Sequence, residues 1–201
     1  MTKKLTLIGL AAAFLTLTGE SCFLENKNIE VPFRGHVDLQ FVTTGTSDLD
    51  IVLIDVAQEI ADLEAEAEGD YEELVSIAVE NGFWRLVANR GPAGTTFTGS
   101  MTVRRVFTNQ SASLVDPTPI AIADLGTEFV VAPLNAAGVN LLVDGMNEYL
   151  QARNEGLSLP DLVYAFTWTS QSGVLADFTW EARLAYSVVG VFSVDVPDLW
   201  N

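Results

Sequence analysis

The chain is poor in the residues that carry most chemistry. Its 201 residues include one cysteine, Cys22, and one histidine, His36. A structural zinc site needs several Cys or His ligands, and a disulfide framework needs cysteines in even number. A nucleophilic triad would have to be built around His36. Basic residues are scarce as well: 10 Lys and Arg stand against 27 Asp and Glu, a net charge of −17. Nucleic acid is therefore not an expected partner, because affinity for it starts from a basic patch. No GxSxG elbow, Walker loop or GxGxxG turn occurs, so no cofactor is expected.

The N-terminus is informative. Lys3 and Lys4 precede Leu5–Leu17, an unbroken run of apolar and small residues, and Thr18–Cys22 turns small and polar. This is the order of a secretory signal peptide, and 13 residues fall short of the roughly 20 needed to span a bilayer. We assign residues 1–21 to the signal.

The end of that signal resembles the lipobox of bacterial lipoproteins, with Ser21 as the small residue before Cys22. Gly19 and Glu20 depart from its usual Leu and small residue, and the nearest leucine is Leu17. The resemblance implies lipidation of Cys22 and attachment to a membrane. Phe23 in place of an Asp retention signal implies the outer membrane. Gly19 and Ser21 also suit ordinary signal peptidase at the same bond, which would leave a periplasmic or extracellular protein. Cleavage removes Lys3, Lys4 and Glu20, leaving 8 basic and 26 acidic residues and a net charge of −18.

Residues 22–30 read as a polar tether and 31–201 as a single domain. From Arg34, apolar Val37, Leu39 and Phe41 alternate with His36, Asp38 and Gln40, as in a half-buried strand. Ser47 is a helix N-cap with Asp48 and Asp50 in the first turn; Leu49, Val52, Leu53, Val56, Ile60 and Leu63 recur at helical spacing to about Ala67. Val75, Ile77 and Val79 alternate again, with Asn81-Gly82 as a turn or bulge and Phe83–Asn89 continuing. Phe97, Gly99, Met101 and Val103 mark another strand. Asn109–Pro119 reads as a polar connection, followed by short β-prone runs at Pro119–Ala123 and Thr127–Ala132. Leu134–Arg153 is the second helix, with a stripe of Val139, Leu142, Met146, Tyr149 and Leu150 and with Gly156 beyond its end. Leu162–Thr169 and Phe178–Tyr186 are expected to pair as an antiparallel hairpin, with Ser187–Val196 extending the last strand. The pattern predicts a mainly β fold: an antiparallel β-sandwich, loosely similar to immunoglobulin-like lipoprotein domains of bacterial surfaces, with two packed α-helices.

Eight carboxylates and no base lie between Glu59 and Glu73. Glu64, Glu66, Glu68 and Asp70 are weak candidates for Ca²⁺, which takes oxygen ligands. Against this, Glu stands where a calcium loop favours Asp or Asn, and Val75 occupies the bidentate position. A solvated acidic segment is the plainer expectation. His36 is expected to be exposed. Tyr164, Phe166, Trp168, Phe178, Trp180, Leu184 and Tyr186 are expected in the core rather than on a sugar-stacking face. Trp84 and Trp200 are undecided. The expected function is a non-enzymatic envelope module that binds a protein or glycan or has a structural role. The alternatives are a secreted hydrolase using a carboxylate pair and, more weakly, a calcium-dependent adhesion module.

Overall fold

The computed structural model describes residues 24–66, 71–92 and 94–197, without the side chains of 24–27, 63, 64, 66, 71, 72 and 193–197. Two very long strands, β1 (Leu24–Asp55) and β6 (Val163–Pro197), form an antiparallel ribbon from Leu24↔Pro197 to Asp55↔Val163. On the other side of β6 lie β3 (Thr96–Arg105), against 164–172, and β2 (Tyr71–Asn89), against 178–192. β4 (Ser111–Ala121) pairs with β3 and the short β5 (Val130–Ala132) with β2, giving the order β4-β3-β6-β2-β5 with β1 also on β6. The protein is mainly β and antiparallel, with helices α1 (Val56–Glu66) and α2 (Ala136–Asn154). Among the described residues no helix is long and apolar enough to cross a membrane.

The ribbon is folded back on itself. Trp168 and Trp180 lie on one strand, twelve residues apart, which is roughly 40 Å of extended chain at about 3.3 Å per residue. Their rings nevertheless meet at 4.3 Å. The break lies between Gly45↔Ala176 and Ser47↔Gln171, where β6 sets four residues opposite the single Thr46, an excess of three. Gly45 takes φ +85°, a conformation that side chains with a Cβ adopt only with strain. Each long strand thus has two arms: β1 24–45 and 47–55, β6 163–171 and 176–197.

The inner faces of the arms make the core. Leu39, Phe41 and Thr43 face Phe166, Trp168 and Ser170, with Phe178, Trp180 and Leu184 beside them, all buried. Phe41 stacks on Trp180 at 4.9 Å, and Phe97 meets Phe178 at 4.8 Å. Trp84 is buried and meets Trp180 edge-on. Gly99 is required here, because a Cβ would overlap the Trp168 indole. The indole N–H of Trp168 donates to Thr43 Oγ1 at 3.1 Å, whereas that of Trp180 has no partner.

α2 follows its expected stripe. Leu142, Met146 and Leu150 are buried, Val139 and Tyr149 partly so, and Gly156 beyond its end has φ +66°. Asn135 caps it by accepting from the Ala137 N–H. Asn147 and Asn154, seven residues apart and so on one face, bond the backbone of β2 at Ile77 and Leu74. β2 is bulged between Leu74 and Ser76 and between Val79 and Asn81, which moves its buried positions to Leu74, Ile77 and Gly82 and leaves Val75 exposed. Asn81-Gly82 is thus a bulge and not a turn.

Four expectations are corrected. Residues 47–55 are strand, and the helix starts at Val56, capped by Asp55 Oδ1 accepting from the Gln58 N–H at 3.3 Å. The run Leu49–Ile54 suits both periods, and the partner strand at 163–171 decides between them. Leu162–Thr169 and Phe178–Tyr186 do not pair with each other; each pairs with β1, and they meet face to face across the fold. The segment read as a connection at Asn109–Pro119 is strand from Ser111, an edge strand on which Pro117 and Pro119 are tolerated. β1 also begins at Leu24, so most of the expected tether 22–30 is paired with β6.

The fold makes its stability depend on the crossing of the arms. Trp168→Ala is expected to cost about 3–5 kcal/mol, the usual range for a buried aromatic. Thr43→Val should cost about 1–3 kcal/mol by orphaning the Trp168 N–H. Trp180→Phe, which removes a donor that has no partner, should cost less than Trp168→Phe. Urea unfolding followed by tryptophan fluorescence measures all four.

Candidate functional site

The densest polar constellation lies on the outer face of the second β6 arm. The strand alternation that buries Phe178, Trp180 and Leu184 turns Glu181 and Arg183 outward. Register places Asp38 of β1 opposite Arg183, and Arg85 of β2 opposite Glu181. Arg183 donates from Nε and Nη2 to the two Asp38 oxygens at 2.7 and 2.9 Å, a bidentate fork. Arg85 donates from Nε and Nη2 to Glu181 Oε2 at 3.0 and 2.7 Å. The Phe129 ring is shared by both guanidiniums, with Arg85 at 4.5 Å and Arg183 at 4.2 Å from its centroid. The loop bearing Phe129 is held by the Leu86 N–H donating to Gly126 O. His36 Nε2 stands 3.7 Å from Asp38 Oδ2, with the side chain 42% exposed, as its position on the polar face implied.

The electrostatics favour a charged Asp38. Burial pushes the Asp38 carboxyl up, but the hydrogen bonds and charge of Arg183, helped by His36, hold it below the usual carboxylate value. The same Asp38 bonds raise Arg183. The arrangement binds three strands and a loop together, and its anions are already matched by cations.

A second polar group lies at the far end of β3. Arg105 is buried; its Nη1 donates to Glu148 Oε2 of α2 at 2.6 Å and its Nε has no partner. Nearby, Tyr164 Oη donates to Leu141 O at 3.2 Å, and burial pushes its pKa up to about 12. Beside Glu148 opens a shallow groove of about 320 Å³, lined by Gln151, Glu155, Leu157 and Pro160 among others. An apolar cavity of about 40 Å³ lies where α1 and α2 meet the sheet, between Val37, Ile54, Ile60, Ile77, Met146 and Phe166, with Glu59 at its margin.

Cys22, Glu68, Asp70 and Trp200 lie outside the described residues, as do the side chains of Glu64 and Glu66. Glu59 and Asp62 lie on α1 and Glu73 on β2, and among the described residues no group of three or more His, Cys, Asp or Glu could hold a metal ion. The expected aromatic faces are core, Tyr186 only partly. The Asp38–Arg183–Phe129–Arg85–Glu181 assembly was not legible in advance. Its single signal was the outward Glu181-x-Arg183 step, whose partners come from strands 96 and 145 residues away.

No protein-family model matches the chain, and no curated protein matches it. A solved chain of Desmodium yellow mottle tymovirus is similar over 93% of this chain and 99% of that one, at 8% identity and a TM-score of 0.36, a level of likeness that says nothing about function.

A group whose folded pKa is lowered stabilises the fold above its unfolded value, and that contribution disappears as pH falls through the folded value. Asp38 should therefore stabilise fully above its ordinary value of 3.8 and lose this as pH drops below it. Asp38→Asn should lower stability at pH 7 and flatten the acid limb of the stability curve; urea midpoints between pH 2.5 and 7 measure both.

Proposed function

We propose that the protein is a non-enzymatic module of the bacterial envelope, exported by residues 1–21 and anchored by lipid on Cys22, with a body that binds an envelope protein or glycan or has a structural role. The carrying observation is the order Lys3-Lys4, Leu5–Leu17, Ser21-Cys22. Its finer location is the outer membrane; without the lipid it is a periplasmic or extracellular protein. We read the folded-over sheet as a β-sandwich of immunoglobulin-like architecture, its layers being the two arms of the ribbon. Only Phe23 separates Cys22 from Leu24, the first residue of β1, so the body would sit close to the bilayer.

The outer-face chemistry agrees with a scaffold. Asp38 and Glu181 are each gripped by an arginine, and Asp38 is shifted downward. A glycosidase acid needs the opposite shift. The hydrolase and calcium-adhesion readings have no described feature in their favour.

Intact-mass analysis of the mature protein tests the anchor. The expected result is a chain starting at Cys22 with added acyl mass, and release of the Cys22→Ala variant from membranes into the soluble fraction. An unmodified Cys22, or a chain retaining residues 1–21 in the cytosol, overturns it.

A further inference from the structure

Among the described residues β1 pairs only with β6, so the other side of its second arm, 47–55, is an open edge there. Free edges invite pairing with another chain. Near the fold this edge is occupied from within. Asp48 accepts from the Thr44 N–H at 2.7 Å and from its neighbour Leu49 at 2.8 Å. Asp50 accepts from the Val42 N–H at 3.0 Å and from its neighbour Ile51 at 2.9 Å. Val42 and Thr44 belong to the first arm, Leu49 and Ile51 to the second. In each arm the two amides are two residues apart, hence on one side of the strand. Two carboxylates therefore engage four edge amides and tie the arms together.

Beside these amides the second arm shows a row of aliphatic side chains on its outer face. Leu49, Ile51 and Leu53 are 60%, 52% and 63% exposed. The row is symmetric about Ile51. In an antiparallel pairing of two copies, Ile51 faces Ile51, and Leu49 faces Leu53 in both halves, which is the self-complementarity of a two-fold interface. Such pairing would continue the hydrogen-bonded order β4-β3-β6-β1 directly into the β1 of the other copy.

We propose that the edge of β1 through Ile51 is a pairing surface for a second copy of this chain, and that Asp48 and Asp50 keep it closed. With the carboxylates in place, the amides that a partner strand needs are occupied. Their negative charge adds to the repulsion between mature copies that each carry 8 basic and 26 acidic residues, a net −18.

Light scattering after size exclusion at pH 7, on the full mature chain carrying Cys22→Ala, tests this. The guarded protein is expected to be monomeric. Asp48→Ala/Asp50→Ala is expected to double the mass, and adding Ile51→Lys to restore the monomer, with near-ultraviolet circular dichroism confirming native packing throughout. Should the double variant lose that packing, the single variants Asp48→Ala and Asp50→Ala, each freeing two amides, are expected to dimerise with rising concentration. The idea is overturned by folded variants that remain monomeric at every concentration, or by a dimer indifferent to Ile51→Lys. A guarded protein already dimeric through Ile51 overturns the closing role.

Discussion

The fold hangs on one event, the doubling-over of the β1–β6 ribbon at Gly45. A flat ribbon of this length would leave Phe41, Trp168, Phe178 and Trp180 in water along one face. Folding it brings Trp168 onto Trp180 and Phe97 onto Phe178, and the three-residue excess on β6 opposite Thr46 absorbs the change of direction. The two helices then follow from what the folded sheet leaves open. α1 leaves the end of β1 at Asp55, and α2 lies along β2, its asparagines satisfying backbone groups beside the bulges.

Folding a sheet creates polar obligations as well as a core. Inside, they are few: the Trp168 N–H finds Thr43, and the N–H of Trp180 finds nothing. On the outer face of the second β6 arm, opposite charges are matched across strands by register. The Asp38–Arg183 fork, the Arg85–Glu181 bond and the Phe129 ring between the guanidiniums are the densest instance. At the bend the same principle operates on the backbone, where Asp48 and Asp50 bond amides of both arms.

Asp48 and Asp50 show why part of this was misread. Two acids after a Ser are a sound helix start, because carboxylates accept from free amides at a helix N-terminus. Here they accept from free amides at a strand edge instead. The local chemistry was identified; the element was not. The continuous apolar run that follows fits periods of 2 and 3.6 alike, and what separates the two is a partner strand more than 100 residues further on. Likewise, the alternation around Trp168 and Trp180 marks strands with aromatic inner faces, but their closeness in the chain suggests lateral neighbours, whereas their rings meet across the fold.

The sequence by itself determined which face is inside in the first arm of β1, in β3 and in both arms of β6, because alternation between apolar and polar residues is a local property of an unbulged strand and depends on no partner. It also determined α2 with its closing Gly156 and the mainly β character. Only the tertiary structure decided that two strands run through a fold, that Pro117 and Pro119 sit in an edge strand, and which arginine meets which carboxylate. Those outcomes rest on contacts between residues distant in the chain, and hydrophobic periodicity carries no record of which distant strand supplies the other side of a hydrogen bond.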